Sequence, residues 1–249
     1  MPPTPHVTLA DIDVAVLAGG LGTRIRGVLG DTPKVLAPVA GRPFLAHLLD
    51  RLAGFGARRV VLCLGHLAEH VEIWLAQNPH PGLEVVTIVE AVPLGTAGAL
   101  RLARPALTSD PVLVLNGDTL IDADLGAFAS AHRAGGTPAS VLCVAVDDGA
   151  RYGRVTIGPD GRIARFAEKV PGGPGIINAG VYLFGAAWLD GFARGNAISL
   201  ERDVLMVAPS GTLGAVIARG HFVDIGTPES LATAAAILAC PGIAAGEPA

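Results

Sequence analysis

The sequence predicts an α/β fold, a Rossmann-like, mostly parallel sheet flanked by helices, and three observations carry that expectation. Short apolar runs alternate with stretches of helical periodicity as far as Val146. A glycine-rich loop follows the first apolar run directly, at the position where open α/β sheets meet their ligands. The 249 residues are 51% hydrophobic and only 16% charged, enough to bury a substantial core and to exclude a disordered chain.

After a loose N-terminal arm, Asp13 to Ala18 (DVAVLA) is a buried strand running into Gly19-Gly20, and a loop continues to about Arg42. Pro43 to Ala53 has helical periodicity, with proline in the first turn and Gly54 and Gly56 as stops. Arg59 to Leu64 is a second strand and Ala68 to Gln77 a second helix. Glu84 to Val89 is strand-like, Thr96 to Ala103 helical, and Val112 to Leu115 a strand. A helix from Leu125 to Ala134 leads to the strand Ala139 to Val146. The pattern then changes. Arg154 to Ile157 and Arg162 to Glu168, around Gly158-Pro159-Asp160-Gly161, predict an antiparallel hairpin. Ile177 to Phe184 is a strand, followed by helices at Ala187 to Ala193 and Leu200 to Val207 and a strand at Leu213 to Ala218. A last helix spans Pro228 to Leu238, and the tail after Pro241 looks frayed. No internal repeat or long linker divides the chain, so residues 1–249 are expected to form one domain. Residues 14–135 would serve mainly one substrate and 136–240, with the small antiparallel part, mainly a second.

The formal net charge of −4 argues against a nucleic-acid binder, which would present a basic face. Mean hydropathy is +0.51, yet no run approaches the ~18 uninterrupted apolar residues of a membrane span. The start MPPTPHVTLADIDV has neither a basic nor an apolar leader segment, so the expectation is no secretory signal and a cytoplasmic protein. Cys63, Cys143 and Cys240 lack metal-ligand spacing and read as reduced, buried thiols. Lys34 and Lys169 are the only lysines among 18 basic residues, which marks two places where a compact ammonium stands in a chain that otherwise uses arginine.

Gly19-Gly20-Leu21-Gly22-Thr23-Arg24 has the composition of a phosphate loop: glycines let backbone amides approach a polyphosphate, and Arg24 supplies a fork for its oxygens. It is not a dinucleotide fingerprint, which would need glycine where Ile25 stands and an acid where Leu64-Gly65 ends the second strand. No GxxxxGK[ST] string occurs either. The longer string Gly19 to Leu45, GGLGTRIRGVLGDTPKVLAPVAGRPFL, resembles the sugar-1-phosphate nucleotidyltransferases, whose signature is GGxGTRL and then PKxLxPVxGxPhL. The departures are Ile25 for leucine and Ala37 before Pro38-Val39. Further family motifs follow in order: Leu94 to Leu100 (LGTAGAL), Asn116-Gly117-Asp118, Tyr152-Gly153, Phe166 to Lys169 (FAEK), Asn178-Ala179-Gly180 and Asp224 to Pro228 (DIGTP). The resemblance covers roughly Val14 to Leu238, and both lysines fall on motif positions.

The resemblance implies the nucleotidyltransferase fold and the reaction of a sugar 1-phosphate with an NTP to give an NDP-sugar and pyrophosphate. Magnesium (Mg2+) is the implied cofactor, held by Asp118 and Asp224. Read alone, Asp118 is a turn carboxylate and Asp224 a cap for the helix at Pro228. Arg24, Lys34 and Asp118 become the catalytic set. Leu17, Ala18, Gly19, Gly20, Gly22, Thr23, Gly95, Thr96 and Asn116 would line the nucleotide, and Gly153, Glu168, Lys169 and Asn178 the sugar phosphate. Asp122-Ala123-Asp124, a DxD string, is better read as a cap for the helix from Leu125. The seven histidines show no catalytic or metal pattern; His66 and His70 read as one helix face. The implied partners are small molecules, with no nucleic acid and no membrane, and a homodimer is the candidate assembly.

Thymidylyl- and uridylyltransferases of this family place Gln five residues before the loop glycine, where this chain has Glu90. A carboxylate offers acceptors only, which suits the adjacent N1–H and 2-amino donors of guanine and so points to GTP. Asp31 to Lys34, Pro43 to Leu45, Arg151 to Gly153 and Ser199 to Asp203 look most like the D-glycero-D-manno-heptose 1-phosphate guanylyltransferases, with mannose-1-phosphate guanylyltransferase as the rival reading. Nothing after Leu238 is long enough for the β-helix domain that some relatives append.

Overall fold

The computed structural model describes residues 8–149, 152–167 and 172–238. The N-terminal arm, Arg151, Glu168, Lys169, Cys240 and the tail lie outside them. In chain order the elements begin with β1 (Val14–Leu17), α1 (Arg26–Leu29), the short hairpin β2 (Pro38–Val39) and β3 (Arg42–Pro43), and α2 (Phe44–Gly54). Then come β4 (Arg59–Leu64), α3 (Ala68–Gln77), β5 (Glu84–Val89), α4 (Gly95–Ala103), β6 (Val112–Asn116), β7 (Thr119–Ile121) and α5 (Leu125–Gly135). The second half holds β8 (Ala139–Val146), β9 (Arg154–Ile157), β10 (Ile163–Ala167), β11 (Gly175–Phe184) and α6 (Ala186–Ala193). It closes with β12 (Leu213–Ala218), β13 (Phe222–Asp224) and α7 (Pro228–Leu238).

One large sheet runs β10-β9-β11-β6-β1-β4-β5, and β8 and β12 extend it from β11. Strands β6, β1, β4 and β5 are mutually parallel, as are β8 and β12. Strand β11 runs antiparallel to β6, β8 and β9 and joins the two halves. Hydrophobic periodicity carries no direction, so that reversal had no sequence signature. The strand alternation is as expected for a sheet buried on both faces. Val14 and Val16, with Val60, Leu62 and Leu64, pack towards α2, α3 and α5. Ala15, Val61 and Cys63 point the other way, towards α4 and α6. A third, smaller core of Phe44, Leu120, Val223, Ile225 and Ala234 seats α7 on β7, β13 and the β2–β3 hairpin. Among the described residues, no helix is long and apolar enough to cross a membrane.

Several expectations are refined. The loop to Arg42 contains α1, a 3-10 turn at Lys34–Leu36 and β2. The helix expected at Leu200 to Val207 is instead a single π-helical stretch, Glu201–Leu205, closed by Met206 N donating to Glu201 O at 2.9 Å. Its lead-in is held by the Asp203 carboxylate, which accepts from the amides of Ile198 (2.9 Å) and Ser199 (2.8 Å). Asp124 caps α5 by accepting from Ala127 N at 2.8 Å. His66 precedes α3 while His70 lies on it, so the two do not share a helix face. Cys63 and Cys143 are free and buried, and burial pushes both thiols up to about 12, with Glu90 adding to the shift at Cys63.

Asp13, expected as the first residue of the opening strand, is a tie at its foot. Its carboxylate accepts from the Thr108 hydroxyl and the Ser109 amide, each at 3.0 Å, and its own amide donates to Ser109 Oγ at 2.7 Å. Burial alone would raise its pKa, but these bonds, a further one from Thr108 N and the nearby Arg59 guanidinium outweigh it and hold the carboxyl below its ordinary value. A lowered folded-state pKa means stability that is present above the ordinary carboxyl range and lost as pH falls through the lowered value. Asp13→Asn is therefore expected to cost about 1–3 kcal/mol at neutral pH. Urea titrations should show its deficit against the wild type shrinking below about pH 4.

Candidate active site

The site forms where the parallel strands end. The chain leaves β1 into the glycine loop, leaves β5 at Glu90 and leaves β6 at Asn116, all on one edge. A cavity of about 420 Å3 is lined by Leu17, Ala18, Gly19, Gly20, Gly22 and Thr23 on one side and by Glu90, Gly95 and Thr96 on the other. A second cavity of about 520 Å3 is lined by Tyr152, Gly153, Asn178, Arg202 and Asp224. Arg24, Asn116, Asp118, Glu201 and Gly226 line both, so the two form one cleft with these residues at its waist.

The glycines are there for close approach. Gly22 has φ of +60°, and a Cβ on Gly117 would lie 2.9 Å from Leu17 O. Gly117 N donates to that same oxygen at 2.8 Å, stitching the end of β6 to the end of β1. Gly95 opens α4 with φ of +72°, and a Cβ there would fall 2.5 Å from Ile198 O. The positive end of the α4 dipole thus faces the first cavity. The Thr96 hydroxyl accepts from Leu200 N at 2.7 Å and lies 3.4 Å from Glu201 Oε2, so it ties α4 to the 198–201 segment.

Asp118 and Asp224 meet through β7 and β13. Thr119 pairs with Asp224 in that two-stranded sheet, and Ile225 N donates to Asp118 O at 3.0 Å. Lys34, presented by its 3-10 turn, is mostly buried and forms an ion pair with Asp118 Oδ2. A Cβ on Gly226 would stand 2.8 Å from Asp224 Oδ1 and 3.7 Å from Lys34 Nζ, which places that glycine between the ammonium and the second carboxylate. Asp224 Oδ1 accepts from Gly226 N (2.8 Å) and Ser230 Oγ (3.1 Å), and Oδ2 accepts from the Tyr152 hydroxyl. Two hard oxygen donors on adjoining strand ends suit magnesium, which takes few protein carboxylates and keeps waters and phosphate oxygens. Among the described residues, no cluster of three or more His, Cys, Asp or Glu could hold a metal.

Glu90 sits at the far end of the first cavity. Its amide donates to Leu64 O at 2.9 Å and its Oε2 accepts from Leu94 N at 3.1 Å. Oε1 packs beside the glycine loop, where a Cβ on Gly19 would come within 3.1 Å and one on Gly65 within 2.6 Å. Asn178 lies in a bulge of β11. Its Nδ2 donates to Tyr182 Oη at 2.8 Å and its Oδ1 accepts from Gly180 N at 2.9 Å. Burial pushes the Tyr182 phenol well above its ordinary value, with Glu201 adding to the shift. Asn116 Oδ1, at the waist, is buried and has no hydrogen-bond partner among the described residues, so an acceptor stands open there.

The cleft thus gathers every expected site residue except Glu168 and Lys169, which lie outside the described residues. It also contains Tyr152, Glu201, Arg202 and Gly226, to which the sequence reading gave no role. Tyr152 and Gly226 stand inside motifs already singled out, but their contacts are made across the fold. Glu201 arrives through the backbone bond from Ala97 N to Ile198 O (2.9 Å), which no local pattern reveals.

This fold, with its glycine loop and two-part cleft, defines the nucleotidyltransferase class of α/β proteins. The chain belongs to the nucleotidyl transferase family, whose model matches residues 14–239. It is 33% identical over 231 residues to a mannose-1-phosphate guanylyltransferase of Mycobacterium tuberculosis, covering 91% of this chain and 64% of that protein. It is 32% identical over 219 residues to the D-glycero-alpha-D-manno-heptose 1-phosphate guanylyltransferase of Aneurinibacillus thermoaerophilus, covering 88% of this chain and 94% of that one. The chain therefore spans under two thirds of the length of the mannose-1-phosphate relative. Among solved structures, HddC from Yersinia pseudotuberculosis superposes with a TM-score of 0.83 at 33% identity, over 90% of this chain and 98% of that one. The same protein complexed with GMP-PN gives 0.82.

Because Gly95 combines positive φ with contact to Ile198 O, Gly95→Ala should displace the 198–201 segment from α4. The expected outcome is a loss of about 1–3 kcal/mol in stability, from the left-handed backbone and the clash together. Weaker binding of a fluorescent nucleotide should accompany it. Thermal melting and fluorescence titration of the one variant check both.

Proposed function

We propose that this chain is a sugar-1-phosphate guanylyltransferase: it transfers a guanylyl group from GTP to a sugar 1-phosphate and releases pyrophosphate. The observation that carries the reading is the meeting of two cavities at Arg24 and Asp118, with Lys34 paired to Asp118. Two mutually repelling phosphate groups must be brought together in this reaction, so cations belong at the junction. An oxygen of the sugar phosphate attacks the α-phosphorus in line; a new P–O bond forms as the bond to the bridging oxygen breaks, and pyrophosphate leaves. The glycine loop cradles the triphosphate, Arg24 forks onto its oxygens, and the Lys34 ammonium meets the charge that develops. Lys169 binds the sugar phosphate, with Glu168 and Asn178 on the sugar hydroxyls. Asp118 and Asp224 would hold a magnesium ion, which when bound would neutralise phosphate charge.

Glu90 is the base reader. It lines the nucleotide cavity, and a carboxylate there accepts from two guanine donors where uracil or thymine would oppose it with a carbonyl. The neighbour complexed with GMP-PN supports the same base. For the sugar, the reading is D-glycero-D-manno-heptose 1-phosphate, supported by the Aneurinibacillus relative. Mannose 1-phosphate is the second reading, supported by the Mycobacterium relative at similar identity.

The test is pyrophosphate release across the four NTPs with heptose, mannose and glucose 1-phosphates. Release with GTP and a heptose or mannose 1-phosphate is expected; preference for UTP or dTTP, or no release, overturns the reading. Glu90→Gln should lower kcat/KM for GTP roughly ten- to a hundredfold and narrow its lead over UTP and dTTP. Lys34→Ala should chiefly lower kcat, whereas Lys169→Ala should chiefly raise the KM for the sugar phosphate. Steady-state kinetics with each substrate varied in turn separates the two.

A further inference from the structure

Asp224 is held by more donors than its place at a strand end requires. Gly226 N and Ser230 Oγ, at 2.8 and 3.1 Å, fix Oδ1 from the side of α7. The Tyr152 hydroxyl fixes Oδ2 from the side of the second cavity, which Tyr152 and Asp224 both line. Gly226, Ser230 and Tyr152 thereby grip the carboxylate from two separate parts of the chain, and its plane is set before any ligand arrives. The ring of Tyr152 packs edge-on against Phe222, with centroids 5.4 Å apart and planes at 85°. Phe222 opens β13, the strand that Asp224 ends, so the same strand braces the phenol and carries the carboxylate. Ser230 is itself buried; its Oγ accepts from Thr227 N at 3.0 Å and shares its proton between Asp224 Oδ1 and Thr227 O, each at 3.1 Å.

We infer that Tyr152 and Ser230 are positioning residues for the metal carboxylate: they aim Asp224 and so set how tightly the site takes up a divalent cation. This rests on the assignment of Asp118 and Asp224 to the metal under the proposed function. The physical ground is general. A ligating carboxylate that donors hold in one orientation loses less freedom when it binds, and removing such a partner commonly weakens metal binding on the order of 10–100-fold. Tyr152 also stands beside Gly153 on the wall of the second cavity, so the donor that aims the carboxylate belongs to the surface assigned to the sugar phosphate.

Tyr152→Phe removes one oxygen and keeps the ring against Phe222; Ser230→Ala removes the other side-chain donor from a different element. The measurement is Mn2+ binding, followed by electron paramagnetic resonance, to the full chain saturated with a non-hydrolysable GTP analogue. Each variant should weaken Mn2+ binding about tenfold. Affinity for the analogue in EDTA should stay at the wild-type level in both variants, and the melting temperature should stay there in Tyr152→Phe, which a merely structural role would not allow. Wild-type Mn2+ affinity in both variants overturns the inference while leaving the metal assignment intact. If the wild type takes up no Mn2+, or Asp224→Asn takes it up as tightly as the wild type, the metal assignment falls and the inference falls with it.

Discussion

Bringing two carboxylates together at the end of a sheet is the constraint on which the rest of this structure depends. Asp118 and Asp224 come from distant parts of the chain, and like charges resist approach. Two short strands, β7 and β13, impose the meeting through backbone pairing and the bond from Ile225 N to Asp118 O. Neutralisation is then local: Lys34 pairs with Asp118, and Tyr152, Gly226 and Ser230 donate to Asp224. The small core of Phe44, Leu120, Val223 and Ile225 lies under this pair and holds it in register, so apolar packing carries a polar arrangement.

The cleft follows from how strand ends are distributed. Parallel strands deliver the glycine loop, Glu90 and Asn116 to one edge because a crossover helix returns each strand in the same direction. Strand β11 breaks that pattern. Its bulge at Asn178 turns Gly180, with φ of +71°, against the Asn116 side chain, where a Cβ would come within 2.6 Å of Nδ2. The bulge thus fastens the second cavity to the first, and Tyr182 and Gly180 fix the orientation of the Asn178 amide on the wall of that cavity.

Much of this was legible in the residues, and unevenly so. Val14 and Val16 face one side and Ala15 the other, as Leu62 and Val61 do, and those strands stand where the short apolar runs placed them. The glycine loop could be read because its chemistry is local. Strands β7 and β13 could not: three residues show no period, and their partner lies far along the chain. The π-helical stretch at Glu201–Leu205 escaped for a related reason, since Asp203 and Thr96 shape its entrance across the fold. Tyr152 meets Phe222 and Asp224 only when the second half folds on itself, and Glu201 meets Thr96 only when that half closes on the first.

Among the described elements, strand β13 and α7 stand last in chain order, and this bears on the protein as it is made. A chain emerging from the ribosome folds from its N-terminal side, so the glycine loop, Glu90 and Asp118 are synthesised well before Asp224 and Ser230 follow. Until then the first carboxylate has its lysine but lacks its pairing strand. A product released early at β12 would carry the glycine loop and Asp118 without the second carboxylate.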